Sequence, residues 1–404
     1  MKRILYISFD GMTDPYGQSQ VINYLIRLNK IGYQFDILSL EKSEKFKSQG
    51  PYIKELLSQN NIGWHPKMYH NVPPILSKIY DKRNMISAAE KLHKQNKYDL
   101  IHARSYPAAE IAQTLKRKTG VKFLFDMRGF WPDEKADGNH WNQKKWFWRQ
   151  VYNFYKKKEK EFIQESDHII SLTNAGKEEM EKWSFYTHVP IAVIPCCADE
   201  NYFLLTSKEK KENARHKLSI DSQRFVLSYL GSLGTWYMIN EMLHFFSELK
   251  KKSSNAIFLI ITNSDHQIIL EKLESYGLKQ EDVKIETVSF KQVAEIMYAS
   301  DVSISFIKPV YSKMSSSPIK VGEVLSMGIP MIANNIGDSG TFIEKNKLGV
   351  MLNKIDHEEI EKALQRLDSV QSISPEYIRR MAVEEYSVTK GAGLYAEVYQ
   401  KLLG

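Results

Sequence analysis

Cysteine is nearly absent from this chain: Cys196 and Cys197 are the only two among 404 residues, and they are neighbours. Adjacent thiols supply neither a disulfide framework nor a four-cysteine zinc site, so the chain is expected in a reducing cytoplasm. Long apolar runs are also missing, and none reaches the roughly eighteen residues needed to cross a bilayer. The stretch Met1–Phe9 lacks a signal-peptide layout, because its apolar run passes straight into Asp10 and reads as a first strand. There is no low-complexity tract, nucleophile elbow, metal-ligand pattern or helix-turn-helix, and no complete glycine fingerprint for a dinucleotide. A standard NAD site, a resident metal and a nucleic-acid partner are therefore not expected.

What remains is an ordinary globular composition, 43% hydrophobic and 26% charged. At 404 residues the chain exceeds one core of usual size, so two domains are expected. The formal charge of +8 is uneven: residues 1–200 hold 31 Lys/Arg against 23 Asp/Glu, and the remaining 25 of each cancel. A basic half suits nucleic acid, an anionic membrane surface or a phosphorylated acceptor, or serves only solubility.

Short apolar runs alternate with longer amphipathic ones. Ile4–Phe9, Phe35–Leu40, Leu100–His102, Phe123–Met127, Ile169–Leu172 and Ile191–Ile194 read as buried strands separated by helices, the pattern of a parallel doubly wound α/β sheet. Residues 199–223 carry no strand signal and read as a connection. A second series follows at Phe225–Leu230, Ile257–Ile261, Val283–Thr287, Val302–Phe306 and Met331–Ala333. The expected organisation is two Rossmann-like domains, 1–198 and 199–404, facing each other across a cleft. A last helix at about 388–403 either closes the second domain or crosses back to the first. Ligands of such sheets sit at the carboxyl ends of strands, which directs attention to the loops there.

The most informative loop leads into Ser315–Pro330, SSSPIKVGEVLSMGIP. Ser317 is expected as N-cap and Pro318 as first helical residue, with Gly328 and Pro330 as the stop. Lys320 and Glu323, three apart, share one face near the positive end of the helix dipole: dipole and lysine suit a diphosphate, the carboxylate a diol. The alternative is an amphipathic helix with both charges solvated. Gly17, before a helix from about Ser19, lets a ligand approach the backbone closely, and Gly231-Ser232-Leu233-Gly234 stands at the matching place in the second half. Asp126-Met127-Arg128-Gly129-Phe130-Trp131 ends a strand with opposite charges and aromatics, so Arg128 is either functional or paired with Asp126. His102 and Arg104 flank another strand end, where a histidine is catalyst or hydrogen-bonded scaffold. The stretch Trp141–Phe162 mixes aromatic and basic residues on a helix, which is either a membrane-interface face or core with a solvated lysine face.

Together with Asp99-Leu100-Ile101-His102-Ala103, Val193-Ile194-Pro195 and Tyr229-Leu230-Gly231-Ser232, the Ser317–Pro330 stretch is similar to the pattern S-P-x-K-x-x-E-x-x-x-x-G-x-P of glycosyltransferase family 4. Over nearly its whole length the chain resembles such GT-B glycosyltransferases. The resemblance implies a retaining, metal-independent transferase without a cofactor. It would move a sugar from a nucleotide diphosphate, with UDP the expected carrier, to a saccharide or lipid-linked saccharide in bacterial surface-polysaccharide assembly. It would be cytoplasmic, with a peripheral contact to anionic membrane and no nucleic-acid partner.

The implied donor set is Gly17, Gly231, Ser232, Ser316, Ser317, Pro318, Ile319, Lys320 and Glu323, with Glu323 on the ribose. The acceptor set is Asp126, Arg128, Arg104 and Trp131, and the catalytic groups are Arg128, Lys320 and His102. Three departures stand out. Ser315 replaces the acidic residue many members place eight positions before the one matching Glu323. The basic pair after the second-domain glycine is missing around Ser232–Tyr237. Arg104 stands where some members have a second histidine. A nucleotide-sugar epimerase of the same fold, or a non-catalytic nucleotide-sugar sensor, is the alternative function.

Overall fold

The computed structural model describes residues 1–404, side chains at positions 74 and 75 excepted. By contacts the chain divides into two compact units. The first comprises Met1–Cys196, Tyr311–Ser316 and Val388–Gly404; the second comprises Cys197–Val310 and Ser317–Ser387.

The first unit is built on seven parallel strands: β1 (Lys2–Ser8), β2 (Tyr33–Glu41), β3 (Gly63–Met68), β4 (Leu100–Arg104), β5 (Lys122–Asp126), β6 (His168–Ser171) and β7 (Ile191–Val193). Their order is β3-β2-β1-β4-β5-β6-β7. The second unit has six: β8 (Val226–Leu230), β9 (Ile257–Ile261), β10 (Val283–Glu286), β11 (Val302–Ser305), β12 (Met331–Asn334) and β13 (Gly349–Leu352), ordered β10-β9-β8-β11-β12-β13. Helices cover both faces, and the near-continuous apolar runs follow from that. In the second unit Val226, Leu259 and Met331 enter one core layer while Leu227, Phe258 and Ile332 enter the opposite one, the two-residue alternation of a sheet buried on both sides.

Two strands went unpredicted, β3 and β13, and both are edges. β3 reads GWHPKM, with no alternation and an internal proline, which only an edge tolerates. β13 is four residues long. The 199–223 connection holds a helix, Lys208–Lys217, whose first turn is capped by the Ser207 hydroxyl accepting from the Lys210 amide. Strand order reverses between β1 and β4 in one unit and between β8 and β11 in the other. At such switch points the flanking loops diverge and leave a crevice at the carboxyl edge.

Candidate active site

In the second unit the crevice at the carboxyl ends of β8 and β11 is lined by the residues on which the sequence argument rested. β8 ends at Leu230, and the next residue, Gly231, has φ +145. That backbone conformation favours glycine, and a Cβ there would lie 2.4 Å from Lys320 Nζ and displace the lysine end. The following loop is fixed to the end of β11: the Met238 amide donates to Phe306 O (3.0 Å) and the Lys308 amide to Trp236 O (2.8 Å).

The helix carrying Lys320 is Ile319–Ser326. It begins two residues after Ser317, with Pro318 rather than Ser317 as N-cap, because the proline is extended at ψ 114; no side chain caps the first turn. Gly328, at φ +77, turns the chain out after the end, as expected. Lys320 and Glu323 are both buried, which excludes the solvated alternative. The ammonium sits 3.6 Å from the ring centre of Tyr237 and 4.6 Å from that of Tyr229, with the Tyr229 hydroxyl at 3.5 Å. That hydroxyl donates to Ser232 O at 2.7 Å.

Among the described residues Lys320 has no carboxylate within ion-pair distance, and Glu323 has neither a hydrogen bond nor an ion pair. Burial lowers Lys320 to about 7 against the pull of Glu323, and burial raises Glu323 to about 7 against the pull of Lys320. The ammonium is faced by phenol rings and the carboxylate has no donor, so the pair has capacity left to bind an anion and a hydroxyl donor. Ser317, Pro318 and Ile319 lie beside it on the same unit; Gly17 and Ser316 belong to the other.

In the first unit, the ends of β4 and β5 hold a cluster that differs from expectation. His102 is buried, Nδ1 2.7 Å from the Tyr399 hydroxyl and Nε2 3.4 Å from Asp126 Oδ2. Asp126 also accepts from Tyr395 at 2.9 Å and has Arg128 Nη1 at 3.9 Å. Burial lowers the imidazole pKa despite Asp126, so the ring is neutral, donating from Nε2 to the carboxylate and accepting at Nδ1 from Tyr399. Burial alone would raise the Asp126 carboxyl, yet Arg128, His102 and Arg104 outweigh it and hold it at about 2. His102 and Asp126 thus join the sheet to the Val388–Leu403 helix, while the second Asp126 oxygen, Oδ1, is buried without a hydrogen-bond partner.

Arg128 differs, with φ +58 and one nitrogen donating to Cys196 Sγ at 3.0 Å. Ser105, beside Arg104 at the adjacent strand end, has φ +67. Such strain persists where surroundings demand it and clusters at functional sites. Arg104 bonds Asp10 through Nε at 3.3 Å, while its buried Nη1 has no hydrogen-bond partner.

Three further residues also have structural contacts. Trp131 is partly buried and packs on Trp141 and Tyr155, ring centres 5.0 and 4.8 Å away, so it also supports the core. A Cβ on Gly17 would lie 2.1 Å from Gly11 O, so glycine is required there by the close approach of its own chain. The helix there opens at Pro15–Gly17 and passes through a wide π turn, Gln18–Ile22, before Asn23–Lys30. Ser315 accepts from the Phe130 amide and donates to Ser312 O, each at 2.8 Å, against Gly129 and Gly176; an acidic side chain has no room.

Sequence reasoning missed that Tyr229, on β8, and Tyr237, in the loop after it, surround Lys320. It also missed Glu41, whose buried carboxylate holds the loop after β1 through the Met12 and Thr13 amides and the Thr13 hydroxyl.

Comparison with known proteins follows this division. Residues 17–202 match the model of Glycosyltransferase Family 4, and residues 224–369 that of Glycosyl transferases group 1. It is a hexosyltransferase-type glycosyltransferase of the GT-B fold. The transferase is 24% identical over 369 residues, 87% of each chain, to UDP-Gal:alpha-D-GlcNAc-diphosphoundecaprenol alpha-1,3-galactosyltransferase of Escherichia coli. Its fold matches sucrose-phosphate synthase of Thermosynechococcus elongatus at TM-score 0.73 and 14% identity, covering 100% of this chain and 99% of the other. It also matches HepE of Anabaena in complex with UDP-glucose at 0.71 and 14%, covering 99% and 100%.

Proposed function

We propose that the transferase moves a hexose from a uridine diphosphate carrier to a hydroxyl of a saccharide or lipid-linked saccharide, with retention at the anomeric carbon, in surface-polysaccharide assembly. The observation that carries this reading is the buried Lys320 ammonium without a counter-anion, three residues from a Glu323 carboxylate without a hydrogen bond. Lys320 and the uncapped amides of the Ile319–Ser326 helix would take the diphosphate, and Glu323 the ribose diol. As the sugar–oxygen bond breaks, negative charge grows on the diphosphate, and a fixed ammonium in a partly dry site stabilises it most there. That reading needs no metal to carry the diphosphate charge. Attack from the leaving-group face, with a donor phosphate oxygen taking the acceptor proton, needs no enzyme nucleophile; this fits the occupied His102 and Asp126.

Arg104 and Arg128 are the acceptor-side cations in this reading, and Arg104 Nη1 supports it by lacking a partner. The Escherichia coli relative, named for UDP-Gal and a diphosphoundecaprenol-linked sugar, supports the donor and acceptor classes. The basic first half supports a peripheral contact with the cytoplasmic face of an anionic membrane. The test is a panel of UDP-, GDP- and CDP-sugars with lipid-linked and soluble acceptors, the product anomer read by NMR. Transfer from a UDP-hexose with the donor's anomeric configuration is expected. Inversion overturns the mechanism; tight donor binding with no transfer to any acceptor overturns the activity.

A further inference from the structure

The helix Pro74–Asn96 buries Ser77, Asp81, Met85, Ala89 and Leu92, a four- and three-residue rhythm that fixes its inward face. Its entry nevertheless puts large apolar side chains on the opposite side: Val72 is 83% exposed, Leu76 65%, Tyr80 58% and Ile79 45%. The helix Trp146–Glu165 does the same, with Trp146 67% exposed and Phe147 and Phe154, seven residues apart on one stripe, also exposed. Both helices pack against Ser105–Thr119, one on each side. Each begins where the chain comes off the carboxyl edge of the first sheet, after β3 and after β5. The two apolar entries therefore stand at one edge of the first unit, two helix spacings of about 8–10 Å apart.

Along the chain their flanks are rich in basic residues, although Lys82 is paired with Glu110 and Lys156 with Glu159. From Trp141 to Lys158 there is no acidic residue and there are six basic ones. From Tyr69 to Arg83 the one acid is Asp81, buried and bonded to His70, against Lys78, Lys82 and Arg83. A soluble partner's apolar pocket would not call for two separate prongs with basic borders, whereas an anionic bilayer offers hydrocarbon beneath a layer of negative headgroups.

We propose that these two helix entries form a bipartite membrane dock, whose apolar prongs insert between anionic lipid headgroups while the flanking lysines and arginines meet the phosphates. This rests on the lipid-linked acceptor reading above and moves its anchor. Lys156 and Lys158 are already paired with Asp133 and Glu161, so helix lysines alone are a weaker attachment than their number implies. The apolar side chains of the Pro74–Asn96 entry supply the part that salt does not screen.

The test uses the full chain with vesicles of phosphatidylcholine and phosphatidylglycerol, with and without brominated acyl chains. Brominated lipid is expected to quench the parent's tryptophan emission, and Trp146→Phe to remove most of that quenching. The triple variant Leu76→Ser, Ile79→Ser, Tyr80→Ser, all exposed, is expected to bind vesicles at least tenfold more weakly while keeping donor affinity and turnover on a short soluble acceptor. The parent should retain part of its binding in high salt. Parental vesicle binding by the triple variant, complete loss of the parent's binding in high salt, or a dimer that the same variant dissolves would each overturn the dock. Turnover on the soluble acceptor by a parent that never binds vesicles overturns the dock and leaves the transferase standing; no turnover with any donor overturns the transferase itself.

Discussion

Lys320 and Glu323 set opposite pH limits on the same ligand. In the proposed reading the diphosphate binds the ammonium, so donor affinity is expected to fall as pH rises through about 7 and the lysine loses its proton. The diol binds the carboxylate, so affinity also falls as pH drops through about 7 and Glu323 gains one. Donor affinity measured by calorimetry should peak near neutrality. Glu323→Gln should flatten the acid limb, keep the alkaline limb and weaken the donor at least about tenfold, since a hydrogen bond to a charged group contributes roughly 1.5–3 kcal/mol. Lys320→Ala should lower kcat; parental kcat across donor concentrations would place the phosphate clamp elsewhere. Arg128 carries a second burden, because its removal leaves Asp126 a buried carboxylate without its nearest guanidinium. Arg128→Ala is therefore expected to lower stability in urea by about 3–5 kcal/mol as well as kcat. An active variant of parental stability would show that neither role is real. The pairing of Lys320 with Glu323 was legible in the sequence because both residues share one short helix at a fixed spacing. Tyr237 around Lys320, and Glu41 beneath the loop after β1, were not, because their contacts join residues far apart in the chain.

Among the elements, the C-terminal helix shows the same division. Its apolar spacing located it at Val388–Leu403, but no local signal tells that Tyr395 and Tyr399 end on Asp126 and His102, more than 260 residues away. Likewise the central strands announced themselves by unbroken apolar runs, whereas β3 and β13 did not, since an edge needs burial on fewer sides and tolerates Pro66. Strand ends gave charged residues but not their partners, which is why the contacts of Asp126 and His102 with the C-terminal helix were not legible. The helix should then be anchored by its phenols. Tyr395→Phe and Tyr399→Phe each leave a buried acceptor short of a donor and should cost about 1–3 kcal/mol in urea denaturation. Because both contacts meet at His102 and Asp126, the double variant should deviate from additivity. Two singles within a few tenths of the parent would mean that ring packing, rather than the hydroxyls, holds the helix.

For the whole molecule, charge and the proposed donor residues are divided between the halves: the excess of eight positive charges lies in residues 1–200, while Gly231, Lys320 and Glu323 all belong to the second unit. A ligand that binds only the folded form stabilises what it binds, by roughly 2.7 kcal/mol at one hundred times its Kd. Amide exchange reports that gain segment by segment, because regions open with their own free energies. In the full chain, UDP should slow exchange in 226–237 and 317–326, the end of β8 with its loop and the Lys320 helix. Exchange in 100–128, which spans β4 and β5, should stay near its unliganded rate until an acceptor is added. Slowing by UDP confined to 100–128 would move the donor to Arg104 and Arg128 and reverse the assignment of the two units. Slowing in the second unit that Lys320→Ala abolishes, with its fold intact, would tie the donor to the one buried ammonium on which the reading depends.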